Sequence, residues 1–206
     1  MPPWSSRLLL TVLVVAGAAH AVRLVSATAD AVERISLTEQ ALAELAQYIT
    51  GIHATNRERL TVEQAPASEE MIEFDAAFDR RLARLTALTA EMTAARTHVG
   101  SWSGGSAAAT GGLRAIDLER RAYVRAVATA ATSETTAYQP GGVRLIDLQA
   151  LKLLETITAQ RDHANVAKTG ALLAAETTVS LALPAAALII SYLIWRPARD
   201  PDRGNP

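Results

Sequence analysis

The stretch that decides the fold is residues 143–195, VRLIDLQALKLLETITAQRDHANVAKTGALLAAETTVSLALPAAALIISYLIW. Its first part places small or apolar residues at alternating steps of three and four, the spacing of a helix with one buried face. Residues 179–195 carry no formal charge, and no proline or glycine cluster separates the two parts. The stretch therefore predicts one long helix from about Val143 to Trp195, which begins in a bundle and ends in a membrane. The positions on its buried face are Val143, Ile146, Ala150, Leu153, Ile157, Gln160, Ala164, Ala167 and Ala171.

The membrane part of this helix is residues 171–195, which contain one formally charged side chain, Glu176. A stretch of this length exceeds the roughly 20 residues that a helix needs to cross a bilayer. Tyr192 and Trp195 suit the aromatic belt at one membrane surface, and the tail 196–206 adds three arginines. Because arginines beside a span favour the cytoplasmic side, we expect residues 196–206 to form a short cytoplasmic tail without an output domain.

A second apolar segment, Leu8–Val22, lies near the start of the chain between Arg7 and Arg23. Residues 1–23 fit a retained transmembrane anchor, which would put both chain ends in the cytoplasm. They also fit a signal peptide with Ala19-His20-Ala21 as its cleavage site. Both alternatives export the residues that follow.

Residues 24–170 lie between these segments and show mainly helical periodicity, with no run typical of a strand. Three connections divide them into four helices: Arg59–Ala67 closes the first hairpin, Gly100–Gly112 is a glycine-rich link, and Gln139–Gly142 is a stop. The sequence therefore predicts an all-α fold, a membrane-anchored antiparallel four-helix bundle flanked by two transmembrane helices. The predicted buried positions are Val25, Val32, Ile35, Leu42, Ala46 and Ile49 in the first helix, Met71, Phe74, Phe78, Arg81, Leu85, Leu88, Met92, Ala95 and Val99 in the second, and Leu113, Ile116, Tyr123, Val127 and Ala130 in the third.

Composition argues against several classes of protein. The 206 residues include no cysteine, which removes disulfide scaffolds, cysteine nucleophiles and cysteine-ligated metals. A formal net charge of −1 provides no basic field for phosphates, so we expect no nucleic-acid partner. The chain lacks the G-x-S-x-G, P-loop, H-E-x-x-H and dinucleotide-binding motifs, and no two of its four histidines are four residues apart. We therefore expect no enzyme activity, no catalytic residue, no cofactor and no metal site.

The arrangement resembles the sensory front end of bacterial transmembrane receptors, namely the CHASE3 domain and the four-helix-bundle domain of chemoreceptors and histidine kinases. Glu44–Gly51, ELAQYITG, is similar to the CHASE3 segment in which a Glu is followed by R-G-Y-L-x-T-G, with the Tyr-to-Gly spacing one residue shorter. Phe74–Leu88 and Leu148–Arg161 resemble the second and last helices of that family. Arg196–Pro197 is similar to the opening of a HAMP linker. The resemblance covers about residues 8–197 and implies a sensory role.

Polar residues on the predicted buried faces are the candidates for a ligand site: Glu39, Arg81, Arg120 and Gln160. At about 1.5 Å of helix rise per residue, Glu39 and Arg81 are expected in one layer of the bundle, and Arg120 and Gln160 in another. An arginine presents a planar fork that matches a carboxylate, so either layer can bind a small anion. The structural alternative is that these groups pair internally, or that Leu82 takes the core position while Arg81 extends outward.

Taken together, the sequence predicts a protein of the bacterial inner membrane whose exported bundle, residues 24–170, senses a ligand or a partner. The expected signal passes along the helix to its transmembrane part, residues 171–195, and is received by a separate protein. The expected protein partner is a second copy in a homodimer or a separate membrane signalling protein. An alternative is a structural or accessory subunit of a membrane complex. In both cases the lipid bilayer is an expected partner.

Overall fold

The computed structural model describes residues 3–62, 66–94, 105–132 and 140–195. Four helices follow one another along the chain: α1 spans Pro3–Thr61, α2 Ser68–Ala94, α3 Gly105–Thr132 and α4 Pro140–Trp195. Because these ranges contain no strand and the four helices pack against each other, the predicted all-α fold is confirmed. The single long helix predicted for Val143–Trp195 is also confirmed, as part of α4.

The chain divides into two compact units. One is Ala31–Ala171, called the bundle below, and the other combines Met1–Asp30 with Leu172–Pro206. Two helical stretches, Thr11–Thr61 and Arg144–Tyr192, contain segments long and apolar enough to cross a membrane. Only 6% and 0% of these apolar segments is buried, whereas the core helix of a soluble protein would be mostly buried. The exposure of so much apolar surface favours association with a membrane.

Contacts between helices establish an antiparallel bundle. Along α1, Thr38 contacts Met92 of α2, whereas Tyr48, further along, stacks on Phe74 with 5.8 Å between ring centroids. Since residue numbers rise on α1 while they fall on α2, these two helices run in opposite directions. The same reversal relates α2 to α3 and α1 to α4. The pairs that show it are Asp79–Arg120 and Phe74–Tyr123 for the first, and Glu39–Lys168 and His53–Asp147 for the second.

The core fills the space between the four helices. Its largest fully buried side chains are Tyr123, Phe78, Leu45, Ile49, Leu85, Ile116, Ile146, Leu153, Ile157 and Val127. All except Leu45 lie at positions that the spacing predicted. Leu45 is buried because the apolar face of α1 is wider than a single stripe of steps of three and four. Val25 differs in the other direction: it lies outside the bundle unit and is exposed.

The second helix departs from its predicted stripe at Arg81. The alternative that Leu82 takes the core position is confirmed, because Leu82 packs against the core, and Thr89 is buried one turn after Leu85. Arg81 instead reaches over the ring of Tyr48, with 4.0 Å from the guanidinium carbon to the ring centre. Its long side chain covers apolar surface while its charge stays outside the core. The predictions for Ala95 and Val99 lie outside the described residues.

All three predicted connections are partly helical. Gly105–Gly112 belongs to α3, because the alanines between these glycines favour helix enough to extend it. Pro140, expected in a stop, is the first residue of α4. Proline suits the first helical position, since its fixed φ is helical and its missing N–H would have no partner there. In the first hairpin, α1 continues to Thr61 and α2 begins at Ser68.

Candidate functional site

A cavity of about 310 Å³ lies inside the bundle. All four helices contribute to its wall, and it opens to solvent beside His163 and Val166, which are both exposed. A cavity of this size is within the range of small-molecule sites. Its lining comprises Thr38 and Leu42 of α1, Leu85, Thr89 and Met92 of α2, Ala109 and Leu113 of α3, and the part of α4 between Gln160 and Gly170.

The cavity forms where the bundle has few large side chains. The other half of the core contains an aromatic layer, in which neighbouring ring centroids are 5.8–6.2 Å apart. Around the cavity, α3 and α4 contribute small side chains instead, including Ala109, Ala164 and Ala167. Helices with such small facing residues cannot fill the space between them. The aromatic layer consists of Tyr48, Phe74, Phe78 and Tyr123.

The polar groups of the cavity wall differ in what they can offer a ligand. The hydroxyls of Thr38 and Thr89 donate to carbonyls of their own helices, at 3.0 and 2.8 Å, so their hydrogen atoms are already used. The amide of Gln160 makes no hydrogen bond to any part of the chain that the structure describes. Gln160 therefore provides the wall with a free donor and a free acceptor.

Gly112 leaves the space that the amide group of Gln160 occupies. A Cβ atom added at Gly112 would overlap the amide group of Gln160, whereas one added at the neighbouring Gly111 would meet open space. The absence of a side chain at residue 112 therefore lets α3 carry this amide against its backbone. Gln160 was a predicted site residue, but its contact with a glycine was not foreseen.

These two glycines give a matched pair of predictions. Gly111→Ala should raise the free energy of unfolding by about 0.5–1 kcal/mol, because alanine is the better helix former. Gly112→Ala should gain less than this, since the new Cβ displaces the Gln160 amide, which is the end of a flexible side chain. Urea unfolding followed by circular dichroism would compare them. Equal stabilisation by both substitutions would show that Gln160 does not pack on α3.

Arg120 of α3 forms the most buried charged group described in the bundle, with its side chain only 10% exposed. Its Nη1 donates to Asp79 at 2.7 Å and to Asp75 at 3.3 Å, and its Nη2 donates to Asp117 at 2.9 Å. The guanidinium carbon also lies 5.0 Å from the ring centre of Phe78. Three carboxylates occupy both terminal nitrogens, which leaves neither of them for an anionic ligand, while the buried Nε has no hydrogen-bond partner among the described residues.

The other two predicted site residues do not meet each other. Glu39 faces α4, with Lys168 Nζ at 3.6 Å and Arg161 Nε at 3.7 Å from its carboxylate. Asn165, with its amide suitably oriented, donates to the same carboxylate at 3.1–3.2 Å. Arg81 lies against Tyr48 and donates to the carbonyl of Ala77 at 3.1 Å. The expected layer of Glu39 with Arg81 is therefore wrong.

The expected layer of Arg120 with Gln160 is wrong as well. Gln160 packs against Gly112, eight residues before Arg120 on α3, which is about 12 Å along the helix axis. Arg120 faces the carboxylates of α2. Of the four predicted residues, Gln160 alone lines the cavity.

A polar group beside the aromatic layer was missed at the sequence level. The amide of Asn56 donates to the hydroxyl of Tyr123 at 3.1 Å, and both side chains are buried. His53 lies edge-on to the Tyr123 ring, and its Nε2 is 3.1 Å from Asp147 Oδ1. Asn56 follows the buried Ile49 by seven residues, so the heptad spacing could have placed it on the inner face. Burial raises the pKa of the Tyr123 hydroxyl above its ordinary value of 10, although the hydrogen bond from Asn56 acts in the opposite direction.

The raised pKa of Tyr123 predicts a loss of stability at alkaline pH. In the unfolded chain the phenol ionises near pH 10, while in the bundle it stays neutral to a higher pH. The resulting stabilisation is complete below pH 10 and is lost as pH rises through the folded pKa. Tyr123→Phe should cost about 1–3 kcal/mol at neutral pH, because the Asn56 amide loses its partner. The difference in the free energy of unfolding between wild type and variant, measured with urea, should decrease above pH 10. A difference that stays constant would contradict the role of the buried Tyr123 hydroxyl.

No group of three or more histidine, aspartate or glutamate side chains in the described ranges is arranged to hold a metal ion. Comparison with family models, curated proteins and solved structures gave no match.

Proposed function

We propose that the chain is a membrane-anchored, non-catalytic sensory module of the bacterial inner membrane. The observation that carries the sensing role is the cavity, because all four helices form its wall and a change in any one of them alters it. A pocket formed by several helices can couple its occupancy to their arrangement. The similarity to CHASE3 and chemoreceptor bundles supports the same role.

The proposed topology places the bundle outside the cytoplasm. The apolar ends of α1 and α4 serve as the two spans, and the arginines at positions 196, 199 and 203 favour a cytoplasmic C-terminus. The alternative of a cleaved signal at Ala21 leaves the second span as the anchor. In both forms the bundle is reached from outside the cell membrane.

In the proposed mechanism, α4 transmits the signal. The same helix lines the cavity at Gln160, Ala164 and Ala167 and continues into the apolar stretch that ends near Trp195. A ligand shifts α4 to the extent that it binds one arrangement of the bundle more tightly than another. A separate membrane protein, or the second copy in a homodimer, receives the shift.

Cysteine labelling tests the topology, and because the chain has no native cysteine, only the introduced cysteine can react. A single cysteine at the exposed Ala159 should react with a membrane-impermeant maleimide after the outer membrane alone is opened. A single cysteine at Asn205 should react only after the inner membrane is also disrupted. Labelling of both sites, or of neither, before inner-membrane disruption would refute the proposed orientation.

A second function, an accessory subunit of a membrane complex, is favoured by one observation. Leu145, Leu148 and Leu151 form an apolar stripe on α4, and they are 43–53% exposed. Such a stripe is suited to pack against another protein. In this case the chain should purify with an unrelated membrane protein at fixed stoichiometry, and Leu148→Ser with Leu151→Ser should abolish the association. A sensory module should instead purify as a homodimer. The two serine substitutions should leave its ligand binding unchanged.

A further inference from the structure

We propose that the cavity binds a small, uncharged, mainly apolar molecule that carries one hydrogen-bonding group, and that the amide of Gln160 holds this group. The inference rests on the proposed sensory function and assigns its ligand class. It follows from the volume of the cavity, the absence of acidic and basic residues among the described residues of its wall, and the position of one unpaired amide.

The volume sets the size of the ligand. An apolar cavity of roughly 150 Å³ holds one benzene molecule, so about 310 Å³ corresponds to about twelve non-hydrogen atoms. Molecules of this size include a single ring with a short side chain and a fused pair of rings. A long acyl chain or a nucleotide is too large.

The wall excludes charged ligands. None of the lining residues in the described part of the chain is an arginine, lysine, aspartate or glutamate. The nearby charges on α1 and α4 are engaged with each other, as Glu39 is with Arg161 and Lys168. A charged ligand would lose its hydration without gaining a partner, which costs several kcal/mol. His163 is exposed at the rim rather than enclosed in the cavity.

The wall also has few polar groups that could hold ordered water molecules in the cavity. An ordered internal water needs two to four polar partners. Thr38 and Thr89 have already turned their hydroxyls to their own helices, at 3.0 and 2.8 Å from the accepting carbonyls. The Gln160 amide then supplies most of the hydrogen-bonding capacity of the interior. One amide among leucine, methionine and alanine suits an apolar ligand with one polar group.

Indole is a suitable probe, since it has nine non-hydrogen atoms, no charge and one N–H donor. The methyl signals of methionine report on binding to the protein itself, so indole that dissolves in the lipid does not affect the readout. Met92 lines the cavity, whereas Met71 packs in the other half of the core, 21 residues away, about 32 Å along α2. The full chain would be labelled with [¹³C]methyl-methionine, placed in lipid nanodiscs and titrated with indole.

The expected result is a saturable shift of the Met92 methyl signal while the Met71 signal stays unchanged. Ala164→Leu fills the cavity and should abolish the shift, and Ala159→Leu adds the same side chain to the exposed face of α4 and should preserve it. An unchanged Met92 signal at millimolar indole, or an equal shift in the Ala164→Leu protein, would overturn the proposal.

Gln160→Leu tests the hydrogen bond. It should weaken indole binding by about three- to ten-fold, the worth of one hydrogen bond, and leave naphthalene binding within about two-fold. Equal loss for both probes would assign Gln160 a packing role only. The cysteine labelling of the same protein separates the two proposals. A bundle with the proposed topology but no Met92 shift refutes the ligand class alone, and a shift in a bundle that faces the cytoplasm refutes the proposed function alone.

Discussion

Replacing Arg120 with methionine should lower the free energy of unfolding of the bundle by about 2–4 kcal/mol, because it removes the cation that three aspartates share. Asp75 and Asp79 are 45% and 62% exposed, so water screens part of their repulsion, and the expected loss lies below that of a fully buried pair. Urea unfolding of the full chain in mild detergent, followed by circular dichroism, provides the measurement.

The neighbouring Arg121 offers a matched control. It also contacts Asp117, at 2.7 Å, but its side chain is 67% exposed. Arg121→Met should therefore change stability by no more than about 0.5 kcal/mol. Adding Asp79→Asn to the Arg120→Met protein should recover part of the loss, because it removes one of the carboxylates that Arg120 had paired. If Arg120→Met and Arg121→Met cost the same, Arg120 does not organise these carboxylates.

Phe78→Ala should have a larger effect, a loss of about 3–5 kcal/mol, because it removes a fully buried aromatic side chain and leaves a cavity. The ring contacts Phe74, with 6.0 Å between centroids, and lies under the guanidinium of Arg120. Ile72→Ala is the control on the same helix, since Ile72 is 69% exposed and should change stability little.

A double-mutant cycle separates the roles of the Phe78 ring. Phe78→Leu keeps most of the apolar volume but loses the aromatic face that Arg120 covers. Its cost should be smaller in the Arg120→Met background than in the wild type, by about 0.5–2 kcal/mol. Strict additivity of the two substitutions would mean that the ring contributes packing alone.

The helices and their inner faces could be predicted from the sequence because a buried face imposes its period on the chain. For this reason Phe78 and Leu85 are seven residues apart on α2, Leu153 and Ile157 are four apart on α4, and each is buried. The period, however, shows which face of a helix is buried and does not show how deeply an individual side chain on that face is buried. Arg81 occupied a predicted inner position, yet its long side chain reaches the surface over Tyr48.

The site could be predicted only in part, since its geometry depends on which helices are neighbours and at what height. Arg120 and Gln160 were both recognised as polar residues on inner faces. Their partners, the α2 carboxylates and Gly112, could not be assigned without the register between helices. The sequence did contain an indication of the Arg120 partners, because Asp75 and Asp79 are four residues apart and therefore lie on the same side of α2, beside Phe78. The cavity itself left no sequence pattern beyond the small residues at Ala109, Ala164 and Ala167.

If the bundle senses a ligand as we propose, occupancy of the cavity moves α4 within the bundle. Spin labels on single cysteines at Ala87 of α2 and Ala159 of α4, both exposed near the cavity, would report this movement by pulsed electron paramagnetic resonance. Saturating indole should shift the mean distance between the labels by about 1–2 Å, the size of a helix displacement in a switching protein. The same addition to the Ala164→Leu protein should cause no shift. An unchanged distance in a sample whose Met92 signal shows bound indole would contradict the account.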